Sequence, residues 1–219
     1  MTTRVYLIRH GATTLSAEDR FAGATDVELS EDGRRQAELL GERLAPEPIA
    51  ALYASPMRRT VETAKLACVH KVALNLDPGL REIDHGRWEG LTRAEVETRY
   101  AQEYADWEQD PYTVAPEGGE SGASVIARAL PVLRRIVLGH RGQTVMVISH
   151  KATIRLLLCG VLGIDPRGYR DRFDQSPACL NALDFGDPVR ARLTVFNDIT
   201  HYAAAPSRPT GRLSRWFPA

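Results

Sequence analysis

Two short apolar runs, Val5-Tyr6-Leu7-Ile8 and Thr144-Val145-Met146-Val147-Ile148, each stop at a histidine, in Arg9-His10-Gly11 and Ser149-His150. Runs of this length and β-branched content read as buried strands. The second leads at once into an apolar helix over 151–162. The chain between them keeps alternating. Ser30 caps a helix whose inner face is Ala37, Leu40, Gly41 and Leu44, and Pro46 and Pro48 end it. Ile49–Tyr53 reads as a strand, followed by Ser55 as N-cap, Pro56 at the first helical position and a helix over 56–68. A strand is expected near Val72–Leu76, with two more at about 180–185 and 191–197. Thr92-Arg93-Ala94-Glu95 is a capping box that opens a helix to about Trp107, and 124–139 is a further helix that Pro131 can bend. Strands alternating with helices build a layered α/β sheet. Such sheets bind ligands at the carboxyl ends of their strands, which is where His10 stands.

Four strand ends or loops then supply His10 together with Arg9, Arg59, Glu82 and His150. That set suits phosphoryl transfer through a covalent histidine. A neutral His10 attacks phosphorus, while Arg9, Arg59 and His150 hold the equatorial oxygens. Arginine suits the task because its fork is planar, always charged and bidentate. Backbone N–H groups at the starts of helices 56–68 and 151–162 add fixed positive dipoles. An acid such as Glu82 protonates the leaving oxygen and then takes a proton from water, although Asp84 and Glu89 lie close by. The pocket supplies the positive charge, so neither a metal nor another cofactor is expected.

Taken in order, Arg9-His10-Gly11, Ser55-Pro56-Met57-Arg58-Arg59-Thr60 with Thr63, Leu80-Arg81-Glu82, Gly118-Gly119-Glu120-Ser121 and Ser149-His150 resemble the motifs of the histidine phosphatase superfamily, over residues 5 to 200. The resemblance implies a three-layer α/β/α sandwich with a mostly parallel central sheet, like that of phosphoglycerate mutases. It implies His10 as the phosphorylated nucleophile, Glu82 as proton donor, and Arg9, Arg59 and His150 as the phosphate pocket, with Arg59 rather than Arg58 in the family register. Ala22-Gly23 matches the loop beside the phosphate, where glycine permits close backbone approach. The chain departs from the family at Ser16, where asparagine is common, and at Lys151-Ala152, where glycine usually follows the second histidine. Lys151 either adds charge near the pocket or points to solvent, the favoured arrangement at a helix start. Glu82-Ile83-Asp84-His85-Gly86 and Asn197-Asp198-Ile199-Thr200-His201 are similar to metal-independent phosphoserine phosphatases of the superfamily. His85 and His201 thus either line the substrate pocket or are structural.

The chain has 219 residues, which suits a single domain over 1–205, followed by a tail over 206–219 that is expected to be mobile. Acidic and basic residues both number 28, so no global field attracts nucleic acid or an anionic membrane. Three cysteines in apolar contexts are expected as reduced thiols. With no leader and no apolar run of ~18 residues, a cytoplasmic protein is expected. The proline- and glycine-rich stretch 110–124 is a candidate lid, with Glu108, Asp110 and Glu117 as its solvated charges. The expected activity is a phosphomonoesterase acting on a small phosphorylated metabolite, with phosphoserine and glycerate or sugar phosphates as candidates. A phosphoglycerate mutase is the nearest rival; its members typically carry a longer insertion after the Glu82 region. A metal-dependent hydrolase and a non-catalytic phosphate-binding protein are the more distant ones. Oligomeric state stays open, with a homodimer as one option.

Overall fold

Strands β1 (Thr3–Arg9) and β4 (Thr144–Ser149) pair in parallel, in register from Arg4 opposite Thr144 to Arg9 opposite Ser149. The computed structural model describes residues 1–15 and 20–204, so Ser16 and the tail from Pro206 lie outside the described residues. Strand residues alternate between faces. Val5, Leu7, Val145 and Val147 enter one core with helices α5 (Gly122–Gly139) and α6 (Lys151–Leu162). Tyr6, Ile8, Met146 and Ile148 enter the other with α1 (Glu31–Leu44) and α2 (Arg58–Ala67). Cover on both faces is why these runs are apolar at successive positions.

The sheet is completed by β2 (Ile49–Ala54), β3 (Leu74–Leu76), β5 (Leu180–Phe185) and β6 (Ala191–Asp198), in the order β3-β2-β4-β1-β5-β6. The first four are mutually parallel, β5 runs antiparallel to β1, and β6 runs antiparallel to β5 and so in the direction of the first four. The expected three-layer α/β/α architecture is the one adopted. All three cysteines are free thiols, with Cys159 and Cys179 buried and Cys68 half-buried. Among the described residues, no helix is long and apolar enough to cross a membrane.

Three local expectations are corrected. Helix α2 begins two residues later than the Ser-Pro signal suggests, with Met57 as its N-cap. The Ser55 hydroxyl is drawn instead to the Nε2 of His150 at 2.9 Å. The helix expected over 92–107 forms as α3 (Arg93–Arg99) and α4 (Ala101–Gln109), with the break at Tyr100. The break lets Val96 and Trp107 pack into one small aromatic cluster with Phe21 and Trp88. Finally, the segment 110–121, expected as a candidate lid, lines none of the central cleft in this structure. It is fastened to the turn at Gly86: Glu120 N–H donates to Asp84 O, and Arg87 N–H to Glu117 O. Gly86 has φ of 53°, and a Cβ there would sit 2.2 Å from Glu117 O, so only glycine fits.

Candidate active site

β1 delivers His10 into a tightly held turn. Gly11 N–H donates to Thr63 Oγ1 of α2, and Ala12 N–H to Gln36 Oε1 of α1. A Cβ on Gly11 would lie 2.3 Å from Gly33 O, so the first turn of α1 rests directly on the backbone after His10. His10 is buried, and its Nδ1 lies 2.7 Å from Gly11 O. A carbonyl only accepts, so Nδ1 carries the proton and Nε2 keeps its lone pair. Nε2 has no hydrogen-bond partner among the described residues. Burial first, then Arg9 and Arg59, hold the imidazole well below its ordinary pKa of 6.5, and therefore neutral.

Arg59 stands opposite in a fully specified setting. Its Nε donates to His150 Nδ1 (3.2 Å), Nη1 to Thr25 O (2.8 Å) and Nη2 to Gly23 O (2.9 Å). Because Nδ1 accepts, His150 carries its proton on Nε2 and donates it to Ser55. Both nitrogens of His150 are thus engaged, its ring meets that of His10 edge-on at 5.2 Å, and it does not line the cleft. The phosphate contact expected of His150 thus meets a ring whose two nitrogens are held by Arg59 and Ser55. Arg58 faces outward and pairs with Glu28.

The loop that holds Arg59 is itself held by Glu89. Its carboxylate accepts from the backbone N–H groups of Gly23, Ala24, Thr25 and His85, and from the Thr25 hydroxyl. Burial alone would raise the Glu89 pKa, but these donors overcome it and hold it below its usual value. A Cβ on Gly23 would fall 1.8 Å from Ile83 O, so glycine is required there by the backbone of the Glu82–Ile83 segment. Glu89→Gln replaces one acceptor oxygen with a donor facing N–H groups. It lowers the stability of the fold by about 1–2 kcal/mol as those N–H groups lose their acceptor; denaturant titration checks this.

Glu82 sits at the start of α6. Ala152 N–H donates to Oε2, and Thr153 N–H and Oγ1–H donate to Oε1, all at 3.1 Å. The dipole expected for phosphate at this helix is therefore spent on Glu82, and at α2 the Arg58 N–H goes to Asp26. Arg128 braces the same segment by donating to the carbonyls of Gly79, Arg81 and Glu82.

Arg9, His10, Ala22, Gly23, Arg59, Glu82, His85 and Lys151 line one cleft of about 250 Å³. Lys151 thus faces the cleft and not the solvent, because α6 begins immediately behind His150. His201 does not reach it: Asp198 at the end of β6 pairs with Arg43 of α1, which turns His201 to the outer side of α1, beside Asp32 and Arg35. Glu108 is no solvated loop charge; it makes a 2.8 Å ion pair with Arg170 that is about 90% buried. Arg170 and Tyr169, of the short helix α7 (Tyr169–Arg172), line the cleft, as do Arg93 and Arg155. None of these four carries a functional motif in the sequence, where Arg93 stands only within a capping box. Among the described residues no cluster of three His, Cys, Asp or Glu side chains is arranged to hold a metal ion.

Residues 5–199 match the family model of the histidine phosphatase superfamily, branch 1. Phosphoserine phosphatase 1 of Hydrogenobacter thermophilus is 36% identical over 163 residues, covering 74% of this chain and 77% of that one. Several other curated relatives are longer, and the chain spans less than half of their length. The solved structure of YhfR from Bacillus stearothermophilus superposes with a TM-score of 0.85 at 30% identity, covering 91% of this chain and 98% of that one. A mycobacterial glucosyl-3-phosphoglycerate phosphatase superposes with a TM-score of 0.81 at 29% identity, covering 90% and 99%.

Proposed function

We propose that this chain, which belongs to branch 1 of the histidine phosphatase superfamily, is a metal-independent phosphomonoesterase acting on a small phosphorylated metabolite through a phosphohistidine at His10. The observation that carries this reading is the state of His10: neutral, its ring fixed by Gly11, and Nε2 open in a cleft lined by Arg9 and Arg59. Nε2 attacks phosphorus, the N–P bond forms and the P–O ester bond breaks. The leaving oxygen takes a proton from the Glu82 carboxylic acid. Water then loses a proton to the Glu82 carboxylate and attacks phosphorus, the N–P bond breaks, and His10 returns neutral with inorganic phosphate released. Arg9 and Arg59 stabilise the charge on the equatorial oxygens, and His150 keeps Arg59 aimed. Phosphoserine and glycerate or sugar phosphates are the candidate substrates.

Quenching turnover of a phosphorus-labelled substrate, in excess chelator, tests this. One acid-labile, base-stable phosphoryl group per chain, with undiminished turnover, is the expected result. Absence of label together with a metal requirement overturns it. Glu82→Gln lowers kcat for alkyl phosphates by about 10²-fold or more. The loss is smaller for p-nitrophenyl phosphate, whose leaving group departs without a proton.

A further inference from the structure

We propose that Lys151 and Arg155 form a second oxyanion subsite, so that the preferred substrate carries a carboxylate or a second phosphate on its leaving group. The inference rests on the cleft of His10 being the phosphatase site. Lys151 is the first residue of α6 and Arg155 follows one turn later on the same face; both line the cleft. Two cations at that spacing repel each other, and the protein does little to compensate.

Other basic groups of the cleft have protein acceptors, although the Nε of Arg9, like that of Arg155, is buried without a partner. Arg9 donates to Gln175 O, Arg59 to two carbonyls and His150, and Arg170 to Glu108. Lys151, by contrast, makes no hydrogen bond or ion pair among the described residues. Arg155 is only 11% exposed, its Nε is buried without a partner, and its nearest acid, Asp174, stands 3.7 Å away. A buried guanidinium with one distant acid, beside a lysine with no acceptor, is costly unless a ligand covers the pair.

The position says which part of the ligand this is. Ala152, next to Lys151, donates to Glu82, the group that meets the leaving oxygen. The pair therefore lies on the side from which the alcohol departs. Burial, with Arg155, Arg9 and Arg93, brings Lys151 down to about 7 against the opposing pull of Asp174. Its charge, and any preference resting on it, declines above that pH.

Two substrate pairs test the proposal: 3-phosphoglycerate against glycerol 3-phosphate, and fructose 1,6-bisphosphate against fructose 6-phosphate. Wild type favours the member with the extra anion by about tenfold or more in kcat/KM, mainly through KM. The pair that shows the preference tells carboxylate from phosphate. Lys151→Met cuts the ratio about tenfold while lowering the single-anion member less. Lys151→Arg restores the ratio and removes its decline between pH 6.5 and 8. Ratios near one in both pairs overturn the subsite, as does an equal loss on both members in Lys151→Met. Failure of wild type to hydrolyse all four, and p-nitrophenyl phosphate as well, overturns the phosphatase reading itself.

Discussion

His10→Ala lowers kcat/KM by at least about 10⁴-fold, because removal of a covalent nucleophile leaves only binding and electrostatics. Acid-labile label on the protein disappears with it. Arg9 and Arg59 remain in place, so inorganic phosphate still protects the variant against thermal unfolding. That separates loss of the nucleophile from loss of the fold. The same variant carries a pH signature. Folded His10 stays neutral where an unfolded histidine would take up a proton. The unfolded chain therefore binds the extra proton below pH 6.5, and stability rises with pH through that window. His10→Ala removes about 1.4 kcal/mol per pH unit of that slope, measurable by denaturant titration at pH 5 and 6. Residual turnover within about tenfold of wild type would mean that another group attacks phosphorus.

Arg59→Lys is the more damaging of the conservative changes. A lysine offers one ammonium where the guanidinium supplies Nε to His150, Nη1 to Thr25 and Nη2 to Gly23 while still facing the cleft. Activity falls by about 10²- to 10³-fold, the size of losing one preorganised donor at a developing oxyanion. Stability falls by about 2 kcal/mol as buried acceptors lose their donors. The stability loss appears with no ligand present, and the activity loss persists at saturating substrate. Arg58→Lys, on an exposed side chain paired with Glu28, changes neither by a measurable amount.

The strands and the nucleophile were legible because each depends on a local signal. Val5–Ile8 and Thr144–Ile148 are apolar on both faces, and the sheet is covered on both sides. The order of Arg9-His10-Gly11, Leu80-Arg81-Glu82 and Ser149-His150 carried the family likeness that the match over residues 5–199 bears out. What the sequence hid depends on contacts between distant segments. Ser55 has every local mark of a helix cap, yet its hydroxyl serves a histidine 95 residues away. Lys151 reads as a surface lysine at a helix start, and only the fold sets it in one cleft with Phe21, Gly23 and Tyr169. Glu108 reads as a loop charge until Arg170 arrives beside it. Glu89 was one acid among several in a crowded stretch. Only the folded turn shows that it gathers the N–H groups of four residues, and through them orients Arg59.

The concentration of positive charge in the cleft has a consequence for the resting enzyme. Arg9, Arg59, Lys151 and Arg155 come from three separate helices and strands, so their mutual repulsion exists only when the chain is folded. The empty protein carries that load, and any oxyanion that enters relieves it. Inorganic phosphate, the reaction's own product, is then a stabiliser: at a hundred times its Kd it adds about 2.7 kcal/mol to the folded state. Cellular phosphate would thus tune both how long the protein survives and how often its site stands open.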